Sequence, residues 1–226
     1  EEFDLRKANP ACVGPIRDQA SCGSCWAVSA ASAMSDRFCI ASKTNSYVEL
    51  SPQYIVSCDK SNYGCDGGYL DLTWKFLSRE GTVSEQCAPY TSGGGHVEAC
   101  MRTCKNGDAL DIRKMDPSTI KFFDKKNVEA MQEDIMNYGS IQMGFRVYQD
   151  FFSYRSGVYR HLSGGLAGGH AVKVIGWGVD SASNLPYWIV ANPWGTTWGN
   201  NGLFWILRGS NECDCEGMMY SARPQL

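Results

Sequence analysis

The chain has 226 residues, 43% of them hydrophobic and 20% charged, with a formal net charge of −3. That length suits one large domain or two small ones with a sizeable core, and balanced charge without a Lys/Arg run argues against a nucleic-acid partner. No apolar stretch approaches the length of a bilayer span, so no membrane-spanning helix is expected. The 11 cysteines point to an oxidising compartment. The acidic start, Glu1-Glu2-Phe3-Asp4, has no signal-peptide pattern, so the expectation is a mature form from which earlier segments have been removed. No Asn-x-Ser/Thr site is present for N-glycosylation.

In chain order, the first strong element begins at Gly23, which breaks regular structure, followed by Ser24 as an N-cap and Cys25 as the first helical residue. Trp26, Ala30, Ala33, Met34 and Arg37 then recur at helical spacing as far as Ile40. A thiol at a helix N-terminus has its thiolate favoured by unpaired backbone N–H groups, so Cys25 reads as a nucleophile; the plainer reading is half of a disulfide. Ser51-Pro52 opens a short helix towards Val56, and Gly64 to Gly68 is a tight loop. Leu70, Trp74 and Leu77 mark one more helix, stopped by Gly81, and residues 88–108 read as loop.

Beyond it one further helix is capped by Asn127, carries Val128, Met131 and Ile135 on one face, and ends at Gly139. Strand-like runs follow at 141–145, 171–177, 187–192 and 203–208, separated by Gly and Asn turns as in a small antiparallel barrel or sheet. A helical half followed by a β half gives an α+β chain of two subdomains, with a cleft expected where they meet.

A nucleophilic cysteine needs a base, and there are only 3 histidines. His96 in a Gly-rich loop and His161 in Tyr-Arg-His-Leu read as surface residues. His170 follows Gly168-Gly169 and opens an apolar strand, a loop–strand junction able to face the subdomain boundary. Asn192, at the next strand's end, has an amide oxygen that can accept from the imidazole N–H, and Trp194 can shield that bond from water.

Cys22-Gly23-Ser24-Cys25-Trp26, with His170 and Asn192 downstream, resembles the papain family of cysteine proteases. Arg17-Asp18-Gln19, Gly64-Cys65-Asp66-Gly67-Gly68, Gly168-Gly169-His170-Ala171 and Ala191-Asn192-Pro193-Trp194-Gly195 carry the resemblance through nearly the whole chain. Ser35-Asp36-Arg37-Phe38-Cys39, Ser156-Gly157-Val158-Tyr159 and Gly176-Trp177-Gly178 are similar to its cathepsin B-like members.

The resemblance implies a single peptidase domain over 1–226. It would hold a helical left subdomain near 12–110 and an antiparallel β-barrel right subdomain near 111–210, with terminal segments crossing over and the active-site cleft between. It implies Cys25 as nucleophile, His170 as base then acid, Asn192 orienting the ring, and Gln19 donating to the oxyanion beside the Cys25 N–H. It implies substrate binding by Gly23, Gly67, Gly68, Leu70, Gly144, Gly169, Ala171, Trp194 and Met218. Met218 would floor the pocket for P2, the side chain two positions before the cleaved carbonyl. The disulfides implied are Cys12–Cys39, Cys22–Cys65, Cys58–Cys100 and Cys87–Cys104, leaving Cys25, Cys213 and Cys215 as thiols.

No metal or organic cofactor is implied. The implied partners are peptide or protein substrates, the chain's own propeptide and cystatin-like inhibitors, with the protein a monomer in an endolysosomal, vacuolar or secretory setting. Cathepsin B-like proteases carry a long loop with a histidine pair that blocks the primed side. The corresponding stretch between Cys87 and Cys100 is short and holds only His96, so an endopeptidase is expected. Two departures stand out: Ala20 where the family has glycine, and Pro193 where it has serine. Two rival readings share the fold: a catalytically weak binding protein, and a peptide ligase or transferase in which an amine resolves the thioester. The intact Cys25, His170, Asn192 and Gln19 weigh against the first.

Overall fold

A computed structural model describes all residues 1–226. Strand β1 (Phe3–Asp4) and helix α1 (Leu5–Ala8) precede three helices, α2 (Cys25–Ser42), α3 (Pro52–Cys58) and α4 (Leu70–Arg79). Strand β2 (Lys121–Phe122) and helix α5 (Val128–Tyr138) lead into β3 (Ile141–Tyr148), β4 (Val158–Tyr159), β5 (Leu166–Val179), β6 (Pro186–Ala191), β7 (Leu203–Leu207) and β8 (Met219–Ser221). No helix is long and apolar enough to cross a membrane.

Local chemistry accounts for the helix ends. The Ser51 hydroxyl accepts from the Tyr54 N–H with Pro52 at the first turn, and Asn127 Oδ1 accepts from the Ala130 N–H. Gly139, at φ 119°, ends α5. Ser24 departs from expectation. It occupies the N-cap position of α2 but makes no capping bond, because its hydroxyl is paired with Tyr90 instead.

The strands form one sheet in the order β2-β8-β3-β5-β6-β7-β4, with β1 added alongside β5. It is antiparallel except for β4, which runs parallel to β7. The expected β-barrel is not closed. The terminal strands β2 and β4 are two residues each and pair only with β8 and β7, so no ladder joins the two ends. Strand β5 also begins earlier than its apolar pattern: Gly168 and Gly169 pair with Val147 and Arg146 of β3, on an exposed stretch that needs no apolar side chains. His170 therefore sits within the strand, opposite Phe145, rather than at its start.

Two cores form. Trp26, Met34, Leu50, Ile55, Trp74 and Leu77 pack the helical half, while Phe145, Phe151, Val172, Trp188, Phe204 and Met219 pack the β half. The termini exchange sides: β1 joins the sheet, whereas Ala222 lies in the helical core and Gln225 donates to Lys114 O. Four disulfides close, Cys12–Cys39, Cys22–Cys65, Cys58–Cys100 and Cys87–Cys104, with Cys25, Cys213 and Cys215 free. A chain with four such bonds belongs to an oxidising compartment.

A polar seam joins the halves where both cores would bury charge. Asp36 on α2 accepts from Lys173 Nζ of β5 at 2.9 Å, from the Ser140 hydroxyl and from the Gly14 N–H. Gln142 of β3 donates to Trp26 O and Ser29 Oγ, and accepts from Trp74 Nε1. Each of these buried groups is hydrogen-bonded, which is the condition under which burial is tolerated. The seam fixes α2, which begins at Cys25, against the strand that carries His170.

Candidate active site

Gly23 brings the Cys25 helix to the Gly64–Gly68 loop. Its N–H donates to Cys65 O, and any Cβ there would lie 2.4 Å from that oxygen. Beyond it Cys25 opens α2 half-buried, at one wall of a cleft cavity of about 370 Å³. His170, 8% exposed, lies on the same cavity from the β5 side.

His170 Nε2 is 2.7 Å from Asn192 Oδ1, and Trp194 stacks on the ring at 4.8 Å between centroids. An amide oxygen can only accept, so Nε2 carries the proton in the neutral ring and Nδ1 holds the free lone pair. Burial pushes the imidazolium down to about 4, partly offset by the Asn192 hydrogen bond. Burial also pushes the Cys25 thiol up, partly offset by the nearby backbone amides of Ala171 and Trp26. Moving the proton from Sγ to the imidazole creates both charges together without changing the net charge of the site.

Residues 17–19 pair with 193–195: Gln19 N donates to Pro193 O at 2.9 Å and Gly195 N to Arg17 O at 3.0 Å. This sets Gln19, 9% exposed, beside the Asn192 loop. Gln19 Nε2 donates one hydrogen to Cys22 O at 2.9 Å, leaving its second uncommitted. Ala20, at the family's glycine position, is held at φ 54°, a left-handed conformation that costs a residue with a Cβ roughly 1 kcal/mol. Pro193 uses only its carbonyl here, so its missing N–H removes no bond from this pairing.

Seven of the nine residues expected to bind substrate line the cavity: Gly67, Gly68, Leu70, Gly144, Gly169, Ala171 and Met218. Gly67 adopts φ +105° with open space around it. Of the other two, Gly23 supports the Cys65 turn and Trp194 covers the His170–Asn192 pair. Met218 is placed by the Gly144 N–H donating to its carbonyl at 2.7 Å. The nearby acids point elsewhere. Glu216 is fully buried and accepts from Trp188 Nε1 and the Gly209 and Asn211 N–H groups, while Asp214 pairs with Arg146. Sequence reasoning missed Tyr69, Asp71, Phe145 and Tyr220 on the cavity wall. For Tyr220 the signal was available, since residues two apart along an extended segment share a face with Met218.

The segment between Cys87 and Cys100 lies back on the chain before Cys22: Gly93 O accepts from the Ser21 N–H at 2.8 Å. His96 is 77% exposed beside Glu98, and His161 is stacked on Tyr148 and bonded to Asp150, away from the cavity lining.

A family model for papain family cysteine proteases matches residues 1–223. Cathepsin B-like CP2 of Giardia intestinalis is 39% identical over 222 residues, covering 98% of this chain and 73% of that protein. Cathepsin B-like cysteine proteinase 6 of Caenorhabditis elegans is 41% identical over 255 residues, covering 100% and 67%. Among solved structures, procathepsin B S9 from Trypanosoma congolense superposes with a TM-score of 0.92 at 35% identity, covering 100% of this chain and 78% of that one. With Cys25 and the Asn192-bonded His170 on one cavity, the chain belongs to the papain family and is a cathepsin B-like cysteine peptidase.

Proposed function

We propose that this protein is a cysteine endopeptidase that works through a thioester on Cys25. The observation that carries the reading is one cavity bounded by a thiol at a helix start and an Asn-oriented imidazole. Cys25 Sγ attacks the scissile carbonyl carbon as its proton passes to His170 Nδ1. The oxyanion takes hydrogen bonds from the spare Gln19 amide hydrogen and the Cys25 N–H, each donor worth about 3–4 kcal/mol in the transition state. His170 then protonates the leaving amine, and deprotonates the water that hydrolyses the thioester. Gly67 and Gly68 offer backbone groups to an extended substrate. Stoichiometric labelling of Cys25 by an epoxysuccinyl peptide, with product analysis on a peptide library, tests this. Transpeptidation products dominating over hydrolysis would favour a ligase instead.

Because the 88–99 segment folds back on Ser21 and carries no histidine pair, the primed side stays open for chain continuing past the scissile bond. A peptide with a free C-terminus and its amide are expected to be cleaved at similar rates. A strong preference for the free acid, with dipeptide products, would show an exopeptidase.

At P2 the apolar cavity floor is Met218, with Leu70, Gly144, Gly169 and Ala171 around it. Burying an apolar P2 side chain gains about 1.5–3 kcal/mol. A guanidinium buried against Met218, away from the solvent-exposed carboxylate of Asp71 on the cavity wall, costs several kcal/mol. Leucine or phenylalanine is therefore expected to exceed arginine at P2 by at least about a hundredfold in kcat/KM. Met218→Glu should raise the rate with P2 arginine and lower it with phenylalanine. Equal cleavage of Arg-Arg and Phe-Arg substrates by the parent would contradict the apolar floor.

The buried imidazole stays neutral until about pH 4, so kcat/KM is expected to hold through pH 5 and fall near pH 4 as the Cys25–His170 pair takes up a proton. A pH profile with an uncharged substrate reads this directly; an acid limb in the ordinary histidine range, about 6.5, would contradict it. By the same resemblance the partners are protein substrates, the chain's own propeptide and cystatin-like inhibitors, and the setting is endolysosomal, vacuolar or secretory.

A further inference from the structure

Tyr90 belongs to the segment after Cys87 and takes no place in the cavity lining, yet its hydroxyl meets both arms of the site described above. It donates to Gln19 O at 2.7 Å and lies 2.8 Å from Ser24 Oγ. A carbonyl can only accept, so the single phenolic hydrogen goes to Gln19 and the Ser24 hydroxyl donates to Tyr90. The hydrogen bonds therefore run in one direction, from Ser24 through Tyr90 to Gln19.

These two partners precede the two groups that hold the oxyanion. Gln19 supplies the side-chain amide. Ser24 supplies the peptide unit whose N–H is that of Cys25. Ser24 is fully buried and stands where serine is among the best helix caps, but its side chain, on a backbone at φ −106°, ψ 15°, makes no capping bond. Its hydroxyl is committed to Tyr90 instead of to the helix.

Tyr90 itself is held by its surroundings. Its N–H donates to Glu85 Oε2, the following Thr91 and Ser92 N–H groups donate to Gln53 Oε1, and Cys87 is bonded to Cys104. Burial, with Asp18 nearby, keeps the phenol protonated and able to donate.

We propose that Tyr90 is a positioning residue for the oxyanion hole, fixing the Gln19 backbone and the Ser24–Cys25 peptide at one spacing. The proposal rests on the thioester mechanism given above. Without the hydroxyl, Gln19 keeps its pairing to Pro193 but loses the tie on its carbonyl, and transition-state stabilisation falls while the cavity for substrate is unaltered.

Tyr90→Phe is the test, since it removes one oxygen and keeps the ring. Expected results are a fall in kcat of about tenfold with KM within twofold, and a similar loss of affinity for a peptide aldehyde, whose hemithioacetal oxygen occupies the hole. Alkylation of Cys25 by iodoacetamide, which forms no oxyanion, should stay within twofold of the parent. Added to Gln19→Ala, Tyr90→Phe should cost less than it does in the parent, because one of the two donors it positions is already gone while the Cys25 N–H remains. Unchanged aldehyde affinity, or equal losses in aldehyde binding, alkylation and KM, would overturn the proposal. A parent enzyme without Cys25-dependent hydrolysis would overturn the underlying mechanism instead, so the two failures are distinguishable.

Discussion

Cys25→Ala is expected to lower kcat by at least about 10⁴-fold while leaving the fold intact. The thiol is the only atom that can form the acyl intermediate, and no other cysteine lines the cavity. Cys213 and Cys215 lie in the 212–217 turn of the β half, where burial pushes both thiols up, Cys213 to about 12. Alanine suits the first position of a helix, and Cys25 is half-buried, so melting should move little. His170→Ala should do nearly as much damage by removing the proton acceptor. Asn192→Ala should do less, because Trp194 still stacks on the ring. Since these residues act as a unit, Cys25→Ala/His170→Ala should match the worse single variant. Rates normalised by active-site titration check this; more than about one part in a hundred of parent activity in purified Cys25→Ala would remove the assignment.

The second large effect concerns stability. Arg37 lies fully buried on α2 and donates to Ser140 O, Ala222 O and Gly139 O while pairing with Asp134. One guanidinium thus ties the Cys25 helix to the α5–β3 connection and to the C-terminal segment. Arg37→Met keeps much of the side-chain volume but strands three carbonyls and a buried carboxylate. Breaking such a pair typically costs about 3–5 kcal/mol. For a domain of this size that corresponds to a fall of roughly 6–20 °C in Tm. Removing both charges, as in Arg37→Met/Asp134→Leu, should recover part of the loss, because no unpaired charge then remains. Thermal melts of the single and double variants decide it. A single variant within 2 °C of the parent would show that the network adds nothing, whereas a double variant worse than the single would show that Asp134 has another essential partner, for which Lys121 at 4.0 Å is the candidate.

The sequence by itself determined the elements whose signals are local. Ser51-Pro52 and Asn127 start helices through bonds to their own first turns, and Gly139 ends one at a backbone angle that other residues resist. Apolar runs located the central strands, and the resemblance to the papain family brought Cys25, His170 and Asn192 together as one set. What it could not determine was whatever depends on partners distant along the chain. Ser24 is a good cap by type, but Tyr90 claims its hydroxyl from 66 residues away. Gly168 and Gly169 carry no apolar pattern, yet their backbone completes the β3–β5 ladder. Closure of the sheet was likewise decided by the tertiary arrangement, because strands of two residues at either end had no ladder to offer each other. The thiol's position at a helix start argued for an easily formed thiolate, and only the folded cleft showed that burial opposes it. Asp36, Arg37 and Lys173 carried no pairing signal in sequence and became the seam between two cores, since the cost of burying charge and the partners that offset it exist only once the halves meet.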